Sequence, residues 1–316
     1  MKRGVVLGLV TAVGALSIAV AGQQTRQDAS ATRVVESDRL SDNLYVLRGG
    51  GGNSAAFITA GGVILVDTKN AGWGQPLIEK IRTITDKPIT TIINTHSHYD
   101  HVSGNVEFPA TIDIVAHENS KAEIQAWRPV TGSATTFPDV FKDTGGRGLP
   151  NRTFKDRLSI GSGSDRVDLY YFGRGHTAGD AWVVFPSLRT VHAGDMFANK
   201  NLPLIDANNG GSGIAYPQTL EKAVATIRNV DTVINGHAPA TTTFDDLRQF
   251  VEFNQDFAAW AQSQMKAGKT VEQAAAEYAR HPEKYQGYNP PQAARVRNNL
   301  QIYYDELRDR RDADRR

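Results

Sequence analysis

From Asn43 onward, apolar residues come in short runs broken by glycine. Leu44–Leu47, Ala55–Ile58 and Val63–Val66 read as strands, and the Gly-rich stretches between them read as hairpin punctuation. The period then changes. Leu77, Ile78, Ile81 and Ile84 recur at helical spacing and predict an amphipathic helix over Gln75–Thr85. Strands and helices alternate afterwards: strands at 91–94 and 113–116, a helix at 119–127, a second meander at 167–172, 181–185 and 190–193, a helix at 218–229, and a strand at 232–235. The pattern predicts an α/β (α+β layered) fold, two packed sheets with helices outside.

Beyond Thr243 the chain reads as helical. Asp245–Lys266 carries Leu247, Phe250, Val251, Phe253, Phe257 and Trp260 at helical spacing. Thr270-Val-Glu-Gln273 is a capping-box signature opening a helix to Arg280. After Pro290-Pro291 a third helix is predicted over Ala293–Leu307, followed by a charged tail, Arg308–Arg316, expected to be solvated. The aromatic residues here are expected in a core, with the extension packing on the sheets, forming a dimer contact (a homodimer) or roofing a cleft. Two long loops, Trp127–Asn151 and Asn199–Tyr216, are expected to cover a site.

Composition narrows the function. The 316 residues are 40% hydrophobic and 22% charged, with a net charge of +1 and no basic stripe, so no nucleic-acid partner is expected. Lys2 and Arg3 precede the apolar stretch Val5–Val20, and Ala19-Val20-Ala21 fits a signal-peptidase site. The chain is therefore divided into a signal peptide (1–21), a leader (22–42), a catalytic domain (43–244) and a helical extension (245–316). The mature protein is expected in a bacterial periplasm or secreted, with no stable membrane association after cleavage. There is no cysteine, hence neither a disulfide nor a thiolate ligand.

The densest chemistry is His96-Ser-His98-Tyr-Asp100-His101, directly after the apolar run Thr91–Thr95. Imidazole and carboxylate are the ligands zinc takes when thiolate is missing. In an extended segment, side chains two apart point the same way, so His96 and His98 can grip one ion. If the chain then turns helical, Asp100 and His101 address a second position. Downstream, His176, Asp195 and His237 each follow a glycine after a short apolar run, the end of a strand where sites collect. Together these are seven candidate metal ligands.

This pattern resembles the metallo-β-lactamase superfamily from about Leu44 to His237. The resemblance implies an αββα sandwich, with His96, His98 and His176 on a first metal, Asp100, His101 and His237 on a second, and Asp195 bridging. It implies two Zn2+ per chain, with iron or manganese tolerable, and a metal-bridging hydroxide oriented by Asp100. Asp67, in Val66-Asp67-Thr68, would orient a ligand histidine or merely cap a turn. Asn208 is the nearest match to the asparagine with which cysteine-type lactamases polarise the substrate carbonyl. Those lactamases also have a cysteine where Asp195 stands and a lysine where Ala198 stands; Lys200 is the nearest cation. The ligand set is closer to glyoxalase II-like thioesterases and to lactonases. The expectation is an exported dinuclear zinc hydrolase of an ester, lactone, thioester or amide, a β-lactam included, acting on a small anionic substrate. The alternative is a mono-iron persulfide-dioxygenase-like oxidoreductase of the same fold.

Overall fold

Strand β4 (Gly62–Val66) shows how the layers arise. Its alternate residues face opposite ways: Ile64 and Val66 enter one hydrophobic core, Val63 and Leu65 another. All four are buried, so the strand is covered on both faces. In this computed structural model, residues 33–278 and 284–313 are described. The signal-peptide segment, the first part of the leader and the predicted helix end at Arg280 lie outside them.

β4 belongs to a seven-stranded sheet with β1 (Glu36–Arg39), β2 (Leu44–Arg48), β3 (Ser54–Thr59), β5 (Ile89–Ile93), β6 (Asp113–His117) and β7 (Arg152–Phe154), ordered as in the chain. Pairing is antiparallel from β1 to β4 and parallel from β4 to β7. The second sheet has six strands in the order β13-β12-β11-β10-β9-β8: β8 (Arg157–Ile160), β9 (Val167–Tyr170), β10 (Trp182–Phe185), β11 (Thr190–His192), β12 (Thr232–Ile234) and β13 (Thr241–Thr243). Only β11 and β12 pair in parallel there. Between the sheets lies one core, where Phe57 meets Phe185 edge to face.

Outside the first sheet, α1 (Gly74–Arg82) buries Leu77 and Ile81. Three short or peripheral helices follow: α2 (Tyr99–Val102), α3 (Glu118–Ala126) and α4 (Val140–Asp143). Outside the second sheet, α5 (Ala215–Thr226), α6 (Phe244–Lys266), α7 (Val271–Glu277) and α8 (Ala293–Ala313) share one core with Trp182, Val184 and Val191. The fold is the expected αββα sandwich. The helical extension packs on the second sheet, and Arg33–Arg316 forms one compact unit. The predicted capping box at Thr270 and Gln273 is formed, and a second, Thr243 with Asp246, opens α6.

β1 pairs with β2, so the first sheet begins inside the segment 22–42. The charged tail is exposed at 308–310, as expected, and α8 runs through it to Ala313. Four further strands, β1, β7, β8 and β13, carry no apolar run that would mark them, because most of their residues are exposed or only partly buried. Among the described residues no helix is long and apolar enough to cross a membrane.

Candidate metal centre

Each of the expected metal ligands sits where a strand ends. The turn after β5 carries His96 and His98, and the helix that follows, α2, carries Asp100 and His101. Gly175-His176 comes after β9, Gly194-Asp195 after β11, and Gly236-His237 after β12. The parallel register of β11 with β12 brings Asp195 and His237 to the same end of the second sheet. Asn53 ties that end to the first sheet: its backbone N–H donates to Gly236 O at 2.7 Å, and its Nδ2 donates to the carbonyls of Asn235 and His237.

The seven side chains converge. Ligand atoms of His96, His98, His176 and Asp195 lie within 4.8 Å of one another, as do those of Asp100, His101 and His237. Asp195 stands between the two sets: its Oδ1 is 3.3 Å from His101 Nε2, and its Oδ2 is 3.3 Å from His237 Nε2 and 3.7 Å from His176 Nε2.

Four imidazoles have their proton positions fixed from behind. A carboxylate or carbonyl only accepts, so the ring nitrogen facing it must donate. His101 Nδ1 donates to Asp67 Oδ2 (2.7 Å), His98 Nε2 to Asp206 Oδ2 (2.8 Å) and His176 Nδ1 to Leu204 O (2.8 Å). The Thr95 hydroxyl donates to Asp67 and so accepts from His96 Nδ1 at 3.0 Å. The opposite nitrogens point into the site. His98 Nδ1 and His176 Nε2 are 3.0 Å apart, while His96 Nε2, His101 Nε2 and Asp195 Oδ1 are buried with no hydrogen-bond partner. Lone pairs crowded together in a dry site repel unless a cation lies between them. The donor set, imidazoles and carboxylates, therefore fits divalent metal, typically zinc.

Electrostatics divides the two sets. Burial, with His98 beside it, pushes His176 down to about 3; burial, with His101 beside it, pushes His96 well down. Both stay neutral, as ligands must. Burial would lower His101 too, but Asp195, Asp100 and Asp67 raise it; Asp195 likewise raises His237. Burial would raise Asp195, yet His237 and His101 hold it well below the usual carboxylate range.

Other expectations resolve differently. Asp67 is the orienting residue: fully buried, it accepts from Thr95 N, Thr95 Oγ1 and His101 Nδ1. Asn208 is not brought to the cleft. It is exposed in a 3₁₀ turn at 207–209, and its amide donates to Pro129 O, away from the site. Lys200 is ion-paired with Asp246 at 2.6 Å. The glycine run before Asn53 does more than turn a hairpin. A Cβ on Gly52 would stand 2.1 Å from His101 Cε1, and one on Gly51 2.5 Å from Asp100 O. Asp206, which orients His98, was not foreseen; it lies in an irregular loop with no motif around it. Both long loops line a cleft of about 470 Å³ over the metal centre.

A family model described as the metallo-beta-lactamase superfamily matches residues 47–237. The chain is 25% identical over 256 residues to a metallo-beta-lactamase type 2 of Elizabethkingia meningoseptica, covering 75% of this chain and 89% of that one. It is 31% identical over 142 residues to the alpha subunit of a 2,4-dinitroanisole O-demethylase from Nocardioides sp., covering 42% of this chain and 38% of that one. Among solved structures, a metallo-beta-lactamase from Pontibacter korlensis superposes with a TM-score of 0.57 at 18% identity, covering 70% of this chain and 99% of that one. A sec-alkyl sulfatase variant superposes with a TM-score of 0.64 at 17% identity, covering 86% of this chain and 50% of that one. Coverage of 86% exceeds what residues 43–244 alone can supply, so that likeness of fold reaches into the C-terminal helices.

Proposed function

Because the chain belongs to the metallo-beta-lactamase superfamily, we propose that it is a dinuclear zinc hydrolase opening an ester, lactone, thioester or amide. The single observation that carries this reading is the convergence of four tautomer-fixed imidazoles and Asp195 on one small volume. His96, His98 and His176 would hold one ion, Asp100, His101 and His237 the other, with Asp195 between. Zinc bound there supplies a Lewis acid for a carbonyl oxygen and lowers the pKa of water toward neutrality. The protein's own part is placement. Asp100, its Oδ2 3.5 Å from His237 Nε2, faces the cleft and can hold and pass on a proton. The loops over the cleft limit the water that reaches the reacting bond.

The names of several relatives bring β-lactams into the substrate class. The coexistence of His101 and Asp195 favours thioesters and lactones beside them. Two complete ligand sets argue for two ions, and nothing separately favours a mono-iron oxygenase. The test is elemental analysis with a hydrolysis panel: a cephalosporin, an acyl-homoserine lactone, a glutathione thioester and an aryl phosphodiester. Two zinc ions per chain and a rate lost in Asp195→Ala are expected. One iron per chain without zinc, or full activity in that variant, would sink the reading. Export is part of the proposal, resting on Lys2, Arg3 and Ala19-Val20-Ala21; N-terminal sequencing of periplasmic protein should begin near Gly22.

A further inference from the structure

One wall of the cleft comes from the far end of the chain. Arg295, Asn298 and Asn299 of α8 line it, and their spacing of three and four residues puts them on one helix face. Among the described residues lining this cleft Arg295 is the one lysine or arginine, and it is half-buried. No hydrogen bond or ion pair to another described residue engages its guanidinium. The other nearby cation, Lys200, is neutralised by Asp246. Burial pushes Arg295 down while Asp195 and Tyr216 pull it up, so the half-buried guanidinium feels the carboxylate of Asp195.

Its neighbours are held firmly. Asn299 Nδ2 donates to Pro203 O at 2.9 Å, which fixes the amide and leaves Oδ1 buried without a partner. A Cβ on Gly132 would stand 1.9 Å from Asn298 Nδ2, so α8 closes directly against the loop 127–151. An unpaired guanidinium and an unpaired buried acceptor on one rigid face form an incomplete constellation. Each lacks a protein complement, and for the buried Asn299 Oδ1 that is expensive.

We propose that this face of α8 selects the substrate: Arg295 binds an anionic oxygen group carried away from the bond to be cleaved, and Asn299 Oδ1 accepts from a substrate N–H or O–H. The chemistry is shared by carboxylate, sulfate and phosphate ends, all of which suit a guanidinium fork. The assignment rests on the hydrolase reading for the reaction, though not for the binding. It makes Arg295 a specificity residue, with the metal centre performing the same reaction on acidic and neutral substrates.

The test has two independent arms on the zinc-loaded protein. In the first, a pair of thioesters differing only in a terminal carboxylate or its carboxamide is compared between wild type, Arg295→Gln, Arg295→Lys and Arg297→Gln. Arg297 is exposed on the same helix and serves as the control. Arg295→Gln should lower kcat/KM for the acid about 10- to 100-fold, the worth of a charge-assisted pair, mainly through KM. The carboxamide should be nearly unaffected, and Arg295→Lys should recover part of the loss. In the second arm, calorimetry with glutarate, ethyl sulfate and ethyl phosphate reads binding without turnover. At least one should bind wild type and Arg297→Gln alike and bind Arg295→Gln about 10-fold or more weakly; which one does names the group. An unchanged acid preference in Arg295→Gln, or no Arg295-dependent binding of any of the three, overturns the proposal. Absence of turnover on both thioesters with Arg295-dependent binding intact overturns thioester hydrolysis and leaves the subsite standing.

Discussion

Substituting Asp67 with asparagine isolates the device that aims His101 into the candidate metal centre. The residue is fully buried at φ +57°, a left-handed conformation that asparagine tolerates. Its carboxylate accepts from Thr95 N at 2.8 Å through Oδ1, and from Thr95 Oγ1 and His101 Nδ1 at 2.7 Å each through Oδ2. Asparagine has one acceptor oxygen and one donor group. With its oxygen kept on Thr95 N, its NH2 meets His101 Nδ1. His101 then relieves the clash by moving its proton to Nε2, the atom whose lone pair the site needs. The tautomer becomes wrong for metal while the shape is preserved. Orienting partners of this kind contribute about 10- to 100-fold in metal affinity, about 1.4–2.7 kcal/mol, consistent with about 1.5–3 kcal/mol for one hydrogen bond to a charged group. A zinc titration against a competing chelator should resolve two binding steps, with the weakening confined to the step that involves His101. If Asp67→Asn binds both ions as tightly as wild type, the tautomer argument is wrong.

Further outcomes follow from the same geometry. Gly236→Ala places a Cβ 1.9 Å from Asp195 Oδ1, so it should displace the shared carboxylate and reduce bound zinc in elemental analysis; two tightly held ions would contradict this. Asp206→Asn should weaken the His98 side by a similar 10- to 100-fold, seen in the other step of the chelator titration. Lys69 donates to Leu47 O and Gly52 O, and burial pushes its pKa from 10.5 down to about 7. Between those values the unfolded chain binds a proton that the folded one does not, so this residue makes stability rise with pH across that window. Urea midpoints of the metal-stripped wild type minus Lys69→Met should therefore climb from pH 7 upward, and a flat difference would refute the assignment. Chelating the metal should lower Tm, by about 4 kcal/mol of stability per ion when free zinc stands at a thousandfold its Kd.

Much of the architecture was legible because strands such as β4 and β10, covered on both faces, are continuous apolar runs, and because α1 and α6 carry clear helical periods. The clustering of the seven candidate side chains was legible because metal binding restricts the residue types and strand ends restrict their places. What lay beyond reach depends on contacts between distant segments. Asp206 meets His98 across 108 positions, and nothing local marks it. Asn208 looked suitable by its offset from Asp195, but its turn directs the amide to Pro129. The glycine run at 49–52 looked like hairpin punctuation, whereas closeness to Trp73 at Gly50, to Asp100 at Gly51 and to His101 at Gly52 is what forbids a side chain there.

The helix α8 serves two layers at once. Val296, Leu300, Tyr303 and Tyr304 are locked into the core beneath the second sheet, while Arg295, Asn298 and Asn299 line the cleft. An inserted or deleted residue within it would rotate everything beyond by about 100°, throwing aromatic rings into water and charge into the interior. This wall of the cleft can thus be reshaped only by exchanging one side chain for another, on a helix whose phase is frozen, while the two loops opposite are free of that constraint.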